Sequence, residues 1–245
     1  MSKISFIDDR ICLNVLVKDK ENAREVLEAS EGYVLMGLLS KDYEDVNEAV
    51  KDMTAYKELF DNKISIGLGA GDPSYAERVK EISKEVIPLH INQIFTSVGA
   101  TREAVGELPW INALVSPSGK PGHVIISTGH LSEKEEAAVV DVRTAIAMCK
   151  EMGANSLKFF PMHGTKALED LKAVAKACSE MDFALEPTGG IDLDNYEVIV
   201  RTILDAGVKK IIPHVYSSII DKDTKKTRVD DVKRLQEVTR SLLKG

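Results

Sequence analysis

Eight short runs rich in β-branched residues alternate with eight longer stretches of helical period, and no other feature of the chain limits its fold as tightly. The runs fall at residues 11–17, 33–39, 64–69, 90–96, 111–116, 156–161, 183–187 and 209–213. The amphipathic stretches fall at 20–29, 43–61, 73–85, 101–106, 132–152, 165–181, 194–206 and 229–243. Strands alternating with helices imply right-handed crossovers and a parallel sheet. Eight consecutive units with no linker between them favour an α/β (β/α)8 TIM barrel over a doubly wound sheet, with residues 1–245 as one domain.

Helix punctuation agrees with these boundaries. Ser132 followed by Glu135 has the capping-box spacing. Pro73 suits a first helical turn after Asp72, and Gly153 and Gly207 fall where helices should stop. The fourth helix is short, and 123–127 reads as an additional β segment after the fifth strand. The Gly- and Pro-rich loop at 116–123 could cover the barrel mouth or be an ordinary connection.

A net charge of −7 speaks against a nucleic-acid partner, although local geometry can still hold a small anion. Cys12, Cys149 and Cys178 have no CxxC pairing and sit in apolar-periodic segments, so they read as reduced core thiols. Asp8, Asp9 and Arg10 stand where a signal peptide would need an apolar run, and no stretch reaches membrane-spanning length. A cytoplasmic protein with no membrane partner is expected.

A lysine lies at the centre of the sixth strand, Ser156-Leu157-Lys158-Phe159-Phe160-Pro161. An ammonium in apolar surroundings loses hydration, which lowers its pKa and leaves a free amine near neutral pH. Such an amine attacks ketones. A period of two puts Ser156, Lys158 and Phe160 on one face and Leu157 and Phe159 on the other. If the second pair packs on helices, Lys158 points into the barrel; the alternative is a buried stem with a head that snorkels to water. The same parity on the seventh strand turns Ala184, Glu186 and Thr188 inward. Glu186 is then a candidate general acid or base, or else a salt-bridge partner that keeps Lys158 charged. Gly189-Gly190-Ile191 follows, a turn whose backbone N–H groups can approach an anion where barrels often hold phosphate.

Leu157-Lys158-Phe159-Phe160-Pro161 followed by Pro187-Thr188-Gly189-Gly190-Ile191 resembles the signature of the 2-keto-3-deoxy-6-phosphogluconate aldolases, class I aldolases on a (β/α)8 barrel. The full chain is similar to the bacterial branch called KDGP aldolases, associated with breakdown of glucosaminate 6-phosphate. The resemblance implies that Lys158 forms a Schiff base, that Thr188, Gly189 and Gly190 lie beside a phosphorylated keto-acid substrate, and that no cofactor is needed. Ser217 and Ser218, after the eighth strand, are further candidates for phosphate binding. A homo-oligomer is expected, as is common among barrel enzymes.

The chain also departs from that pattern. The better-known aldolases carry a glutamate and an arginine on the second strand, for proton transfer and for the substrate carboxylate. Here the strand reads Tyr33-Val34-Leu35-Met36-Gly37-Leu38-Leu39 and supplies neither. Arg102 and Lys41, each just past a strand, are candidates for the carboxylate, and arginine offers a bidentate fork. Asp72 is a second candidate base, although aspartate before proline also caps helices. Asn14 and Asn92 interrupt apolar strands, where they line the site or tie the barrel together. His90, His163 and His214 adjoin strand ends and keep open a metal-dependent lyase or isomerase. A sugar-phosphate sensor without turnover is the remaining alternative.

Overall fold

The computed structural model describes residues 3–244. In chain order the elements are β1 (Leu13–Leu16), α1 (Lys20–Ala29), β2 (Val34–Leu39), α2 (Val46–Leu59), β3 (Ile64–Gly67), α3 (Ala76–Val86), β4 (His90–Ile94), α4 (Val98–Val105) and β5 (Trp110–Pro117). They continue with β6 (His123–Ile125), β7 (Val139–Asp141), α5 (Val142–Glu151), β8 (Ser156–Phe159), α6 (Leu168–Glu180), β9 (Ala184–Pro187), α7 (Tyr196–Asp205) and α8 (Val229–Lys244).

Strands β1, β2, β3, β4, β5, β8 and β9 pair in that order, each parallel to the next. Segment 211–215 is the eighth stave. It bridges β9 through Leu185–Ile211 and Thr188–His214, and the β1 side through Ile11–Ile211 and Asn14–His214, which closes the barrel. Pro213 has no N–H to give to the β1 side, so this stave forms isolated bridges instead of a continuous ladder.

Parity sorts the side chains into two regions. Leu13, Val15, Met36, Ile66, Ile91, Val115, Leu157, Phe159, Leu185 and Ile211 face outward and form one apolar layer with the helices. The barrel floor is a separate small cluster of Cys12, Leu35, Leu89 and Ile212, against which Ile4, Phe6 and Trp110 pack. Between floor and mouth the interior is polar: Asn14, Ser65, His90, Asn92, Asn112, Ser156, Lys158, Glu186 and His214 are all buried.

The expected helix over 132–152 is shorter than its period suggested. A 3-10 turn, Ser132–Lys134, and strand β7 precede α5, which begins at Val142. The Ser132–Glu135 capping box does not form: the Ser132 hydroxyl accepts from Gly129 N at 3.1 Å, and Asp141 caps α5 by accepting from Arg143 N at 2.8 Å. The β-branched pair Val139-Val140 instead lies antiparallel to Val124-Ile125, and β6 pairs in turn with the end of β5. The extra β segment anticipated near 123–127 is therefore half of a hairpin that extends past the barrel rim. Gly153 (φ 80°) and Gly207 (φ 86°) do end α5 and α7, in the left-handed region that suits glycine. Burial holds the Cys12 and Cys178 thiols far above the usual range and raises Cys149 to about 12. All three are free and buried. Among the described residues, no helix is long and apolar enough to cross a membrane.

Candidate active site

Lys158 stands on the inward face of β8 with 7% of its surface exposed, toward the barrel mouth. Its Nζ donates to Asn92 Oδ1 at 2.9 Å. Burial outweighs the attraction of Glu186 and brings the amine down to about 8. About a tenth of the amine is thus neutral at pH 7, against well under a thousandth for an ordinary lysine.

Glu186 is fully buried one strand away, in register with Lys158. Its side chain turns toward the floor. Oε1 accepts from Ser156 Oγ at 2.5 Å and Trp110 Nε1 at 3.0 Å; Oε2 accepts from Asn112 Nδ2 at 2.7 Å and meets His214 Nε2 at 2.8 Å. His90 Nε2 lies 3.1 Å from both oxygens. Burial alone would raise this carboxyl, but the charge of His90 and the hydrogen bonds from His214 and His90 hold it well below the ordinary range. A carboxylate offers about four lone-pair directions, and five side chains already surround this one. The structure therefore corrects both expectations for Glu186. It makes no ion pair with Lys158 among the described residues, and its saturated oxygens are poorly placed to take a substrate proton.

The remaining polar groups continue outward from this hub. Asn112 and Lys158 both donate to Asn92 Oδ1, and Asn92 donates to Ser65 Oγ at 2.9 Å. Ser65 Oγ meets His90 Nδ1 at 2.8 Å and Asn14 Nδ2 at 3.0 Å. Asn14 Oδ1 accepts from Tyr216, whose hydroxyl is 2.9 Å from His214 Nδ1. Asn14 and Asn92 tie the barrel together across β1, β3, β4, β5 and β8, and Asn92 accepts from the lysine. His90, Glu186 and His214 bring ligand-type atoms within 4.8 Å of one another, the composition of a metal-binding set. The donors already seated on the carboxylate leave that set no open direction.

The glycine turn lies at the mouth. Gly189 (φ 101°) and Gly190 (φ 72°) adopt conformations that L side chains rarely take. The turn packs on the loop after β8: Gly164 N donates to Gly189 O at 3.0 Å, and a Cβ on Gly190 would lie 2.5 Å from Gly164 N. Neither Gly189 N nor Gly190 N has a protein acceptor among the described residues, so both remain available to an anion. Thr188 is buried directly below this turn. Ser218 donates to Ile191 O at 2.7 Å, fastening its loop to the same corner, and Ser217 beside it is exposed.

Other expected residues lie elsewhere. Arg102 is committed at the opposite end of the barrel, where its guanidinium donates to Gly153 O, Gly106 O and Asn155 Oδ1 at 2.9, 2.6 and 2.8 Å. It is not a substrate ligand here, because α4 carries it down the outer layer away from the mouth. Asp72 caps the turn at Pro73 by accepting from Ser74 N at 2.9 Å, and hydrogen bonds from Ser74 lower its pKa. His163 is exposed and outside the histidine cluster. Lys41 is at the mouth: a Cβ on Gly69 would meet the methylenes of its stem. Trp110, Asn112, Ser65 and Tyr216 were not anticipated. A signal for two of them exists, since Ser65 and Asn112 occupy the same inward parity as Asn14 and Asn92.

Residues 7–223 match the KDGP aldolase family. The chain belongs to that family. A "2-dehydro-3-deoxy-phosphogluconate aldolase" of Salmonella typhimurium (strain 14028s / SGSC 2262) is 44% identical over 248 residues, covering 99% of this chain and 100% of that protein. The chain shares its fold with more distant barrels. KGPDC from Streptococcus mutans superposes with a TM-score of 0.59 at 14% identity, over 94% of this chain and 98% of that one. A phosphoribosyl anthranilate isomerase from Thermotoga maritima gives 0.58 at 11% identity, over 94% and 99%. Both likenesses support the barrel fold alone.

Proposed function

We propose that this member of the KDGP aldolase family is a class I enzyme that cleaves 2-keto-3-deoxy-6-phosphogluconate to pyruvate and glyceraldehyde 3-phosphate. One observation carries the reading: Lys158 is buried beneath the barrel mouth with no ion-pair partner among the described residues, and its pKa is lowered to about 8. The name of the Salmonella relative supports the substrate, and the open amides of Gly189 and Gly190 suit its phosphate.

Neutral Lys158 attacks the C2 ketone to give a carbinolamine, and loss of water gives a protonated imine. The C3–C4 bond breaks with its electron pair drawn toward the imine nitrogen, while the C4 hydroxyl loses its proton and becomes the aldehyde of glyceraldehyde 3-phosphate. The enamine left on Lys158 is protonated at C3. Hydrolysis then releases pyruvate and restores the amine. Dividing the cleavage through an imine replaces one hard step with easier ones. Because the oxygens of Glu186 are occupied, the C4 proton leaves at the mouth, and Glu186 acts by holding the floor of the site in place. Phosphate held at the glycine turn fixes the distant end of the substrate.

The test is intact-protein mass spectrometry after incubation with pyruvate and borohydride. A reduced pyruvate adduct is expected on the wild type and absent from folded Lys158→Ala. No adduct on the wild type would overturn the class I assignment.

A further inference from the structure

Six residues close a ring of hydrogen bonds inside the barrel. Glu186 meets His90 Nε2 at 3.1 Å, and His90 Nδ1 meets Ser65 Oγ at 2.8 Å. Ser65 meets Asn14 at 3.0 Å, Asn14 meets Tyr216 at 3.0 Å, Tyr216 meets His214 Nδ1 at 2.9 Å, and His214 Nε2 returns to Glu186 at 2.8 Å. The six contacts require six protons. Ser65 and Tyr216 supply one each from their hydroxyls. Asn14 supplies one, whichever way its amide is turned, because its oxygen then faces the other neighbour. Each neutral imidazole supplies one, and an ionised carboxylate supplies none. The sum is five.

We infer that the ring holds a sixth proton, carried by one of the imidazoles of His90 and His214 beside ionised Glu186, so that this buried triad is electrically neutral and does not act as the counter-ion of Lys158. Without it, two lone pairs would face each other across a contact of about 3 Å in a site sealed from water. The position of the proton follows the sense of the ring. With Asn14 donating to Ser65, the chain of donors runs so that His214 is the doubly protonated ring; with the amide reversed, it is His90. The structure turns Asn14 Nδ2 to Ser65 and its Oδ1 to Tyr216, the sense in which His214 carries the proton against Glu186; burial and the charge of Lys158 oppose that charge, and Glu186 supports it. The titration therefore belongs to the coupled set and not to one residue. The ionisable groups facing it from neighbouring elements are Lys158 on β8 and Cys12 beside β1, and burial keeps that thiol protonated.

The role inferred is that of positioning residues. His90, His214, Ser65 and Tyr216 neutralise the charge of Glu186 from within, which leaves Lys158 without an anion to hold its proton. Opening the ring removes the requirement. In Tyr216→Phe four contacts remain, and His90, Ser65, Asn14 and His214 supply four protons. The extra proton then leaves, the triad becomes anionic, and Lys158 becomes harder to deprotonate. Ser65→Ala opens the ring at its other side with the same arithmetic.

The ring itself is tested by histidine nitrogen-15 NMR near neutral pH, with His90 and His214 assigned. Three protons distributed over their four ring nitrogens are expected in the wild type, and two in Tyr216→Phe or Ser65→Ala, whichever folds. Two in the wild type would overturn the inference, as would a stoichiometric metal in the purified protein that bridges the two imidazoles. Its effect on Lys158 rests on the Schiff-base reading and is measured by the pH profile of pyruvate trapping. The profile is expected to move upward by about one pH unit in the opened-ring variants; an unmoved profile in a variant that still traps pyruvate overturns the link to Lys158. A wild type that traps no pyruvate would sink the class I reading, while the NMR result would still decide the ring.

Discussion

Lys158 and Glu186 are register partners on adjacent parallel strands, yet their charged ends diverge: the ammonium rises to Asn92 Oδ1, and the carboxylate descends to Ser156 and Trp110. The lysine is thereby buried beside a carboxylate without being neutralised by it. With its pKa lowered to about 8, the sign is clear: protonated amine dominates below that value and neutral amine above it. Imine trapping with pyruvate should rise about tenfold per pH unit on the acid side and level off above about pH 8. A rate insensitive to pH through this interval would contradict the assignment of Lys158.

Glu186→Gln should be strongly destabilising. The new amide nitrogen would face groups that themselves donate, Ser156 and Trp110 on one side or Asn112 on the other. A loss of roughly 3–5 kcal/mol is expected from urea unfolding at neutral pH. The wild-type carboxyl is depressed well below its ordinary 4.5, so its contribution is present above that pH and is lost as pH falls through the native value. The gap between wild type and variant should consequently narrow on acidification.

Gly190→Ala should separate the two ends of the proposed substrate. A Cβ there lies 2.5 Å from Gly164 N at a φ of 72°, so the turn must shift. The KM for the phosphorylated substrate should rise at least tenfold, with trapping of unphosphorylated pyruvate changed far less. Equal losses in both assays would remove the glycine turn from the phosphate-binding role.

Arg102→Ala should leave the KM for the keto acid unchanged. Two of its hydrogen bonds tie α4 to the segment before β8 and a third closes the end of α4 itself at Gly106, so thermal or urea unfolding should show a loss of about 1–3 kcal/mol. A rise in KM without loss of stability would return Arg102 to the substrate.

Much of this was legible in the residues. The alternation of strands and helices identified the barrel, and parity placed Lys158, Glu186 and Thr188 inside it, since a strand leaves each side chain only two faces. Parity does not say whether a side chain leans toward floor or mouth, and that is where the reading of Glu186 changed. Arg102 failed for a related reason: lying just past a strand does not fix how far down a helix a residue sits. The 132–152 stretch misled because Ser132–Glu135 satisfies a local pattern that the β-branched pair at Val139-Val140 overrides by joining β6. The ring could not be seen because its members come from β1, β3, β4, β9 and the eighth stave, and only closure of the barrel makes them neighbours.

The floor of Ile4, Phe6, Cys12, Leu35, Leu89, Trp110 and Ile212 makes the barrel a chamber with one door. Protons, water and substrate all have to share the mouth. Whatever is protonated or deprotonated below Lys158 therefore equilibrates with solvent past the same opening that admits a keto acid, and not through the floor.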